Sequence, residues 1–201
     1  MNPRIAVALV LVAVMALGAL VLAARGGRDA EPVAAENAFA GAALPKGFRA
    51  PDFELRDQDG EPVSMRSLRG RPVIVTFLYT HCEDTCPIQA QTVRGALDEL
   101  GHDVPALAIA VDPPNDTPRS ARRFLAEQRA TGRLDFVLGS AADLRPVWRG
   151  FAIQRQSVTQ EHNARFTLVD ANGYQRVGYP GREATPERLA HDIALLEREA
   201  G

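Results

Sequence analysis

The chain has 201 residues, a formal net charge of -2 and 24% charged residues. Its basic residues, almost all of them arginines, are interspersed with acidic ones, so no basic block of the kind that binds nucleic acid is present. Without an apolar N-terminus and a linker, roughly 150 residues remain, which is the usual size of one compact domain.

The N-terminal region predicts attachment to a membrane. Residues 5–24 are uncharged and apolar, and a helix of this length, rising about 1.5 Å per residue, spans the roughly 30 Å hydrocarbon core of a bilayer. We therefore assign residues 1–28 to an N-terminal transmembrane anchor, with a cleaved signal peptide as the alternative because Ala23 and Ala24 are small enough for cleavage. Residues 29–49 are rich in Ala, Gly and Pro and predict a linker to a domain at residues 50–201.

The first half of that domain alternates strand and helix signals. Residues 51–72 predict a hairpin that turns at Gln58-Asp59-Gly60. Residues 73–79, VIVTFLY, predict a strand buried on both faces. A helix should follow from about Pro87 and end at Gly101.

The second half continues the alternation and then closes with a hairpin. We expect a buried strand at 106–112, a helix from Thr117 to Gly132 and a strand at 134–139. Next come a helix that is capped by Ser140 and bent or shortened by Pro146, and a polar loop at 153–163. The last elements are a hairpin that turns at Asn172-Gly173 and a final helix capped by Thr185. The order predicts an α/β fold in which right-handed crossovers place helices on both faces of a sheet. Sites in such sheets lie beyond the carboxyl ends of the strands, which is where Cys82 falls.

Cys82 and Cys86 are the two cysteines, in the segment THCEDTCP. Four positions apart on a helical turn, they share one face with β-carbons about 5–6 Å apart. Thiolates bind metals and attack disulfides, and a helix N-terminus favours the thiolate, so the pair should be reactive. A structural disulfide is the alternative, although so short a loop removes little entropy from the unfolded chain. A thiol pair in an exported chain also places the domain outside the cytoplasm.

Two thiolates and an imidazole suit copper in either oxidation state, or zinc. Four histidines are candidates for the third ligand. His102 and His191 read as ordinary surface residues, and His81 is adjacent to Cys82, where neighbouring side chains diverge. His162 stands at the end of the polar loop, just before a strand, and its position alone leaves the assignment open.

Several motifs together resemble the Sco/SenC family of copper-binding assembly factors for cytochrome c oxidase. The resemblance extends from about Ala50 to the C-terminus. The matching segments are VTFLYTHCEDTCP, AIAVDPPNDTP, WRGFAIQ and EHNARFTLVDANG. It implies a thioredoxin-like fold, with a mixed central sheet flanked by helices, and a copper site formed by Cys82, Cys86 and His162. It further implies a single-pass membrane protein with its domain on the periplasmic or equivalent side, whose partner is the copper-containing subunit of cytochrome c oxidase or another copper acceptor.

The chain departs from the family pattern at Leu78, Glu83 and Glu161, where Gly, Pro and Asp are usual. We expect the carboxylate of Glu83 to oppose ionisation of Cys82 and to raise the pKa of its thiol.

Two acids also match a family loop. We favour strand-end and helix-cap roles for Asp112 and Asp116 over a role in orienting the cysteine segment. Trp148 and Phe151 should belong to the core.

Other functions compete with metal delivery. In a thiol-disulfide oxidoreductase, Cys82 would attack and Cys86 would resolve the mixed disulfide. Thioredoxins, however, carry C-x-x-C and a cis-proline, whereas this chain has C-x-x-x-C and Glu161-His162-Asn163. A peroxiredoxin is less favoured because no matching proline precedes Thr80, and a sensor of copper or redox state is a non-catalytic alternative.

Overall fold

A computed structural model of the protein describes residues 38–153 and 165–200. The predicted anchor, residues 29–37 of the predicted linker, His162 and nearly all of the polar loop lie outside these ranges. Within them, no helix is long and apolar enough to cross a membrane.

The centre of the domain is a mixed β-sheet. Its order, among the described residues, is β1-β8-β7-β4-β5-β6, and β2 and β3 form a separate antiparallel hairpin. The strands are β1 (Ala42–Ala43), β2 (Glu54–Arg56), β3 (Pro62–Ser64), β4 (Val73–Leu78), β5 (Ala106–Ala110), β6 (Asp135–Val137), β7 (Arg165–Val169) and β8 (Gln175–Pro180). Strand β4 pairs in parallel with β5 and antiparallel with β7. Every residue of β4 and β5 is buried, as the continuous apolar runs predicted.

Four helices complete the described part of the domain: α1 (Thr85–Leu100), α2 (Pro118–Glu127), α3 (Ala141–Gly150) and α4 (Pro186–Ala200). Helices α1 and α4 pack against each other. The predicted core residues are confirmed: Trp148 donates its indole N–H to the carbonyl of Ala110 at 2.9 Å, and Phe151 packs edge-on against Phe77. The mixed sheet with flanking helices is therefore confirmed.

Local signals define most of the helix ends. Gly101 ends α1 in the left-handed conformation, with φ of 71°. Thr117 and Ser140 cap α2 and α3 through reciprocal hydrogen bonds with the residues three positions on. Thr185 caps α4 by accepting the N–H of Arg188 at 3.3 Å.

Helix α2 ends earlier than its sequence indicated. It ends at Glu127, and Gly132 belongs to a later turn. The chain leaves the helix because Ala130 is fully buried and its N–H bonds to the carbonyl of Leu125 at 2.8 Å. Burial of Ala130 in the core therefore overrides the helical pattern that continues toward Gly132.

The domain begins before residue 50, so the linker boundary at residue 49 was wrong. Ala42 and Ala43 form edge strand β1 against β8. The preceding backbone N–H groups of Ala40 and Gly41 donate to the buried carboxylate of Asp192 at 2.7 and 3.0 Å. A two-residue strand is too short to show a period, and Asp192 lies about 150 positions further along the chain.

Candidate metal and thiol site

The two cysteines lie where β4 ends and α1 begins. Strand β4 ends at Leu78 and α1 begins at Thr85, so both thiols lie beyond the carboxyl end of a parallel strand pair, as predicted. The prediction that Cys82 and Cys86 lie on the same helical turn was wrong in one respect. Cys82 lies in the loop before the helix, and Cys86 lies in the first turn.

The sulfur of Cys82 nevertheless lies against the start of α1. It accepts the backbone N–H of Cys86 at 3.2 Å and lies 3.7 Å from the hydroxyl oxygen of Thr85. Asp84, at the N-cap position, makes no capping hydrogen bond with its side chain. The Cys82 sulfur thus satisfies one of the unpaired N–H groups at the helix N-terminus.

The pair holds one thiolate and one thiol at neutral pH. A hydrogen bond from the Cys86 thiol lowers the pKa of Cys82 to about 4, against the opposing effect of burial and with help from the N–H groups of Cys86 and Asp84 and the hydroxyl of Thr85. The same hydrogen bond and burial raise the pKa of Cys86, which is fully buried. Cys82 is therefore the nucleophile of the pair, and Cys86 keeps its proton and acts as a hydrogen-bond donor to it.

The net shift of the Cys82 pKa is opposite in direction to the effect expected of Glu83 alone. The pKa of Cys82 is lowered, and the groups responsible for the shift are the other cysteine, the helix N-terminus and Thr85. Glu83 is exposed, where water screens its charge. Direct hydrogen bonds to the sulfur outweigh a solvated neighbouring charge.

The structure adds Tyr79 to the site. Burial first, and then a hydrogen bond to Cys82, raise the pKa of its phenol to about 12. The carbonyl of Tyr79 also accepts the N–H of Cys82 at 3.3 Å. Sequence reasoning placed Tyr79 only as the last residue of a buried strand, and its position three residues before Cys82 was the signal available.

Asp116 orients the cysteine segment, contrary to the interpretation favoured from sequence. Its buried carboxylate accepts the N–H of Thr80 at 2.8 Å and the N–H of Asp112 at 3.0 Å. It therefore ties the chain just before Cys82 to the loop after β5. Asp112 has the more ordinary role, since its side chain accepts the amide of Asn115 at 2.8 Å.

A polar groove of about 530 Å³ opens beside Cys82. His81 and Glu83 line one wall, and Arg123 and Glu127 of α2 line the other. His81 is exposed, and its Nδ1 lies 3.1 Å from the hydroxyl of Thr80. The groove leaves one side of the Cys82 segment accessible to a partner.

Two of the other histidines are engaged away from this groove. The Nε2 of His102 lies 2.9 Å from a carboxylate oxygen of Glu197, and this hydrogen bond raises the pKa of the imidazole. The Nδ1 of His191 lies 2.9 Å from Asp192. Both are accounted for by these contacts, in line with their assignment as non-ligands.

The third ligand cannot be read from the described residues, because His162 lies outside them. Across residues 38–153 and 165–200, no group of three or more His, Cys, Asp or Glu side chains is arranged to hold a metal. The chain re-enters the described region at Arg165, the first residue of β7. Phe166 is paired with Thr76 of β4, and the carbonyl of Arg165 accepts the Thr76 hydroxyl at 3.1 Å. Strand β7 therefore starts at the same end of the sheet as Cys82.

Fold and thiols together define a thioredoxin-like domain with a polarised cysteine pair at the start of its first long helix. The family model described as SCO1/SenC matches residues 42–197, and the chain belongs to this family. The family resemblance inferred from the motifs is thus confirmed.

Relatives agree with this assignment. The SCO1 protein homolog of Bacillus subtilis (strain 168) is 29% identical over 152 residues, covering 71% of this chain and 79% of that protein. The solved structure of Bradyrhizobium japonicum ScoI with copper bound is 28% identical with a TM-score of 0.61, covering 73% of this chain and 98% of that one.

A peroxiredoxin is also similar. Peroxiredoxin Bcp of Escherichia coli (strain K12) is 33% identical over 138 residues, covering 65% of this chain and 81% of that protein. The SCO1/SenC model matches residues 42–197, a longer part of the chain than the 138 residues of this similarity. The family match therefore takes precedence over this similarity.

Proposed function

We propose that this protein is a membrane-tethered copper chaperone that acts outside the cytoplasm. Cys82, Cys86 and His162 bind copper as cargo, and the protein passes it to a copper-containing subunit of cytochrome c oxidase or to another copper acceptor. Residues 5–24 hold the chain in the membrane. The observation that carries the proposal is the thiolate of Cys82 beside the thiol of Cys86 at the start of α1.

The chemistry of the thiols supports copper as the cargo. Thiolate sulfur is a soft ligand and suits Cu(I) best, while an added imidazole also accommodates Cu(II). One of the two thiols is already ionised at neutral pH, so binding has to displace only the proton of Cys86. The related ScoI protein of Bradyrhizobium japonicum has been solved with copper bound, which also supports copper as the cargo.

The path of the chain supports His162 as the third ligand. Arg165 follows it by three residues and lies at the cysteine end of the sheet, next to β4. Three extended residues span at most about 11 Å, and this short chain length would allow the His162 imidazole to reach the thiols at that end. A short tether to a fixed strand lowers the entropic cost of bringing a ligand to the thiols.

Anaerobic copper titration of the reduced full chain tests the ligand set. One equivalent should bind, with sulfur-to-copper charge-transfer absorption in the Cu(II) form. Cys82→Ala and His162→Ala should each lower copper affinity by orders of magnitude. His102→Ala is the matched control, because that imidazole is paired with Glu197. Unchanged affinity in His162→Ala would remove His162 from the site.

The same thiol pair favours a second candidate function, the reduction of partner disulfides. The Cys82 thiolate would attack a disulfide sulfur of the partner, form a mixed disulfide and release one partner thiolate. Cys86 would then lose its proton to that thiolate and attack Cys82. The products are the Cys82–Cys86 disulfide and a partner dithiol, and an external dithiol would have to reduce the protein again.

A single variant separates the two functions. His162→Ala should lose copper affinity yet keep its rate of disulfide exchange with a model disulfide such as oxidised glutathione. Cys86→Ala should stop at the mixed disulfide, which mass spectrometry detects as an added glutathione. Tight copper binding without measurable exchange would leave delivery as the sole function, and the reverse result would leave reduction.

A further inference from the structure

Three segments that are far apart in sequence meet at the end of the sheet opposite the cysteines. They are residues 46–52, 66–71 and 171–174. Strand β4 starts at Val73 and runs toward Cys82, while β8 runs parallel to it from Gln175. The residues just before Val73 and Gln175 therefore lie at the opposite end, and so do the residues that follow β1, which is antiparallel to β8.

Backbone hydrogen bonds join these segments into one surface. The N–H of Ala50 donates to Gly173 at 2.9 Å, and the N–H of Gly70 donates to Ala171 at 2.9 Å. The guanidinium of Arg69 donates to the carbonyl of Asn172 at 3.3 Å. The surface is thus continuous, and we refer to residues 46–52, 66–71 and 171–174 as the basal surface.

The basal surface is basic. Its exposed basic residues are Lys46, Arg49, Arg66, Arg69 and Arg71, against one acid, Asp52. Asp52 is shared between Arg66 at 3.5 Å and Arg69 at 3.8 Å. Positive charge therefore exceeds negative charge on this face, although the chain as a whole has a formal net charge of -2.

Several acids on neighbouring elements have basic partners. Glu199 pairs with Arg176 at 2.7 Å, and Glu197 pairs with His102 at 2.9 Å. Arg133 pairs with both Asp98 and Asp103. These pairs limit the negative field next to the basal surface.

The basal surface also carries an exposed aromatic side chain. Phe48 is 57% exposed, although its carbonyl is fixed by the N–H of Gln175 at 2.8 Å. Gly47, with φ of 92°, makes the turn that presents it. Single exposed apolar residues are common on soluble proteins, but an exposed aromatic side chain on the same surface as several Lys and Arg residues is the pattern of a bilayer interface.

We propose that the basal surface docks on an anionic lipid bilayer, with Phe48 inserted between headgroups and the five basic side chains paired with lipid phosphates. The proposal rests on the membrane tether of the proposed function. Fully extended, residues 25–38 reach at most about 50 Å from the end of the apolar segment, so the tether is long enough for the basal surface to contact the bilayer. Docking at this face points Cys82 away from the lipid, toward the part of a membrane-bound partner that projects into the same compartment.

Two positions with matched exposure test the orientation. Phe48 is 57% exposed at the basal end and Ile88 is 56% exposed beside the cysteines. The full chain carrying Phe48→Trp or Ile88→Trp is reconstituted into vesicles of brominated phosphatidylcholine, with and without phosphatidylglycerol. Trp148 is only 2% exposed, and the parent chain supplies its background emission.

The expected result is strong quenching at position 48 in the vesicles that contain phosphatidylglycerol, several-fold above that at position 88. Lys46→Glu with Arg71→Glu, two exposed side chains, should abolish the difference, and so should high salt. The matched control is Arg119→Glu with Arg145→Glu, which makes the same charge change outside the basal surface and should leave the quenching intact.

Contrary results fall into two separable kinds. If the chain stays with the vesicles but position 48 is quenched no more than position 88, the docking surface is wrong while the tether stands. If the chain does not stay with the vesicles, the tether fails and the docking proposal fails with it. Copper titration of the same vesicles reports independently on the metal site.

Discussion

The backbone N–H of Cys86 points at the sulfur of Cys82 across 3.2 Å, so the first turn of α1 binds the thiolate that precedes it. An N–H donor at a helix terminus is unpaired within the helix and stabilises a negative charge that lies next to it. The relationship separates the two thiols chemically although they are only four residues apart. The difference in pKa between the two thiols can therefore be measured before any metal is added.

Cys82 should react with iodoacetamide as a thiolate at pH values far below the usual pKa of a cysteine thiol. Because its pKa is lowered to about 4, its alkylation rate should be nearly constant from weakly acidic to neutral pH. Ordinary thiols instead gain reactivity toward a pKa of about 8.5. Cys86→Ala removes the largest cause of the shift, so the midpoint of the profile should move upward. A midpoint of the parent protein in the ordinary thiol range would contradict the assignment.

Asp116→Asn should destabilise the loop that carries the cysteines. Both carboxylate oxygens accept backbone N–H groups, and an amide keeps only one acceptor and turns a donor toward the other N–H. Burial raises the pKa of the Asp116 carboxyl group. In the Asn variant, the backbone N–H that faces the amide NH₂ has no acceptor, which costs about 1–3 kcal/mol. Urea unfolding measures the loss.

Asp112→Asn is the control for Asp116. Its carboxylate loses only the contact with the exposed amide of Asn115. An equal loss of stability in both variants would mean that Asp116 has no special role in holding Thr80.

Asp192→Asn should release the start of the domain. The buried carboxylate accepts the N–H groups of Ala40 and Gly41 and the hydroxyl of Tyr179. With one acceptor oxygen lost, hydrogen exchange at Ala40 and Gly41 should accelerate, and the free energy of unfolding should fall by about 1–3 kcal/mol. His191→Ala removes a half-exposed neighbour of Asp192 and should change exchange much less. Unchanged exchange at Ala40 in Asp192→Asn would argue against this attachment.

Gly150→Ala should destabilise the protein although it improves helix propensity. Alanine is favoured over glycine inside a helix by about 1 kcal/mol. A β-carbon at position 150 would lie 2.6 and 2.7 Å from two carbons of the Pro51 ring, which cannot rotate away. Overpacking of this kind costs about 1–3 kcal/mol, so the balance should be a lower thermal midpoint. Arg149→Ala, on an exposed neighbour, should leave the midpoint nearly unchanged.

The predicted elements that proved correct rest on local physics. The apolar run of β4 requires burial on both faces, Thr117 and Ser140 satisfy N–H groups within three residues of themselves, and the Asn172-Gly173 turn closes a hairpin. Several short motifs, including the one around Cys82, together indicated the family. Each of these signals lies within a few residues of the feature that it predicts.

The corrections arise where distant residues compete with local ones. Burial of Ala130 ends α2 before Gly132, and Asp192 recruits residues that read as linker. Asp116 resembles a helix cap until the sheet brings Thr80 beside it, 36 positions away in sequence. The pKa of Cys82 likewise depends on where α1 starts, which Glu83 alone could not indicate.

By itself, the sequence determined the order of strands and helices from β2 onward, the place of the cysteine pair and membership of the family, because periodicity, capping and motif spacing are local properties. Only the tertiary structure decided which thiol is ionised, that Asp116 orients the cysteine segment, and that basic residues scattered in sequence share one surface with Phe48. Hydrogen bonds and charge depend on distance in space, and the sheet brings together residues more than a hundred positions apart.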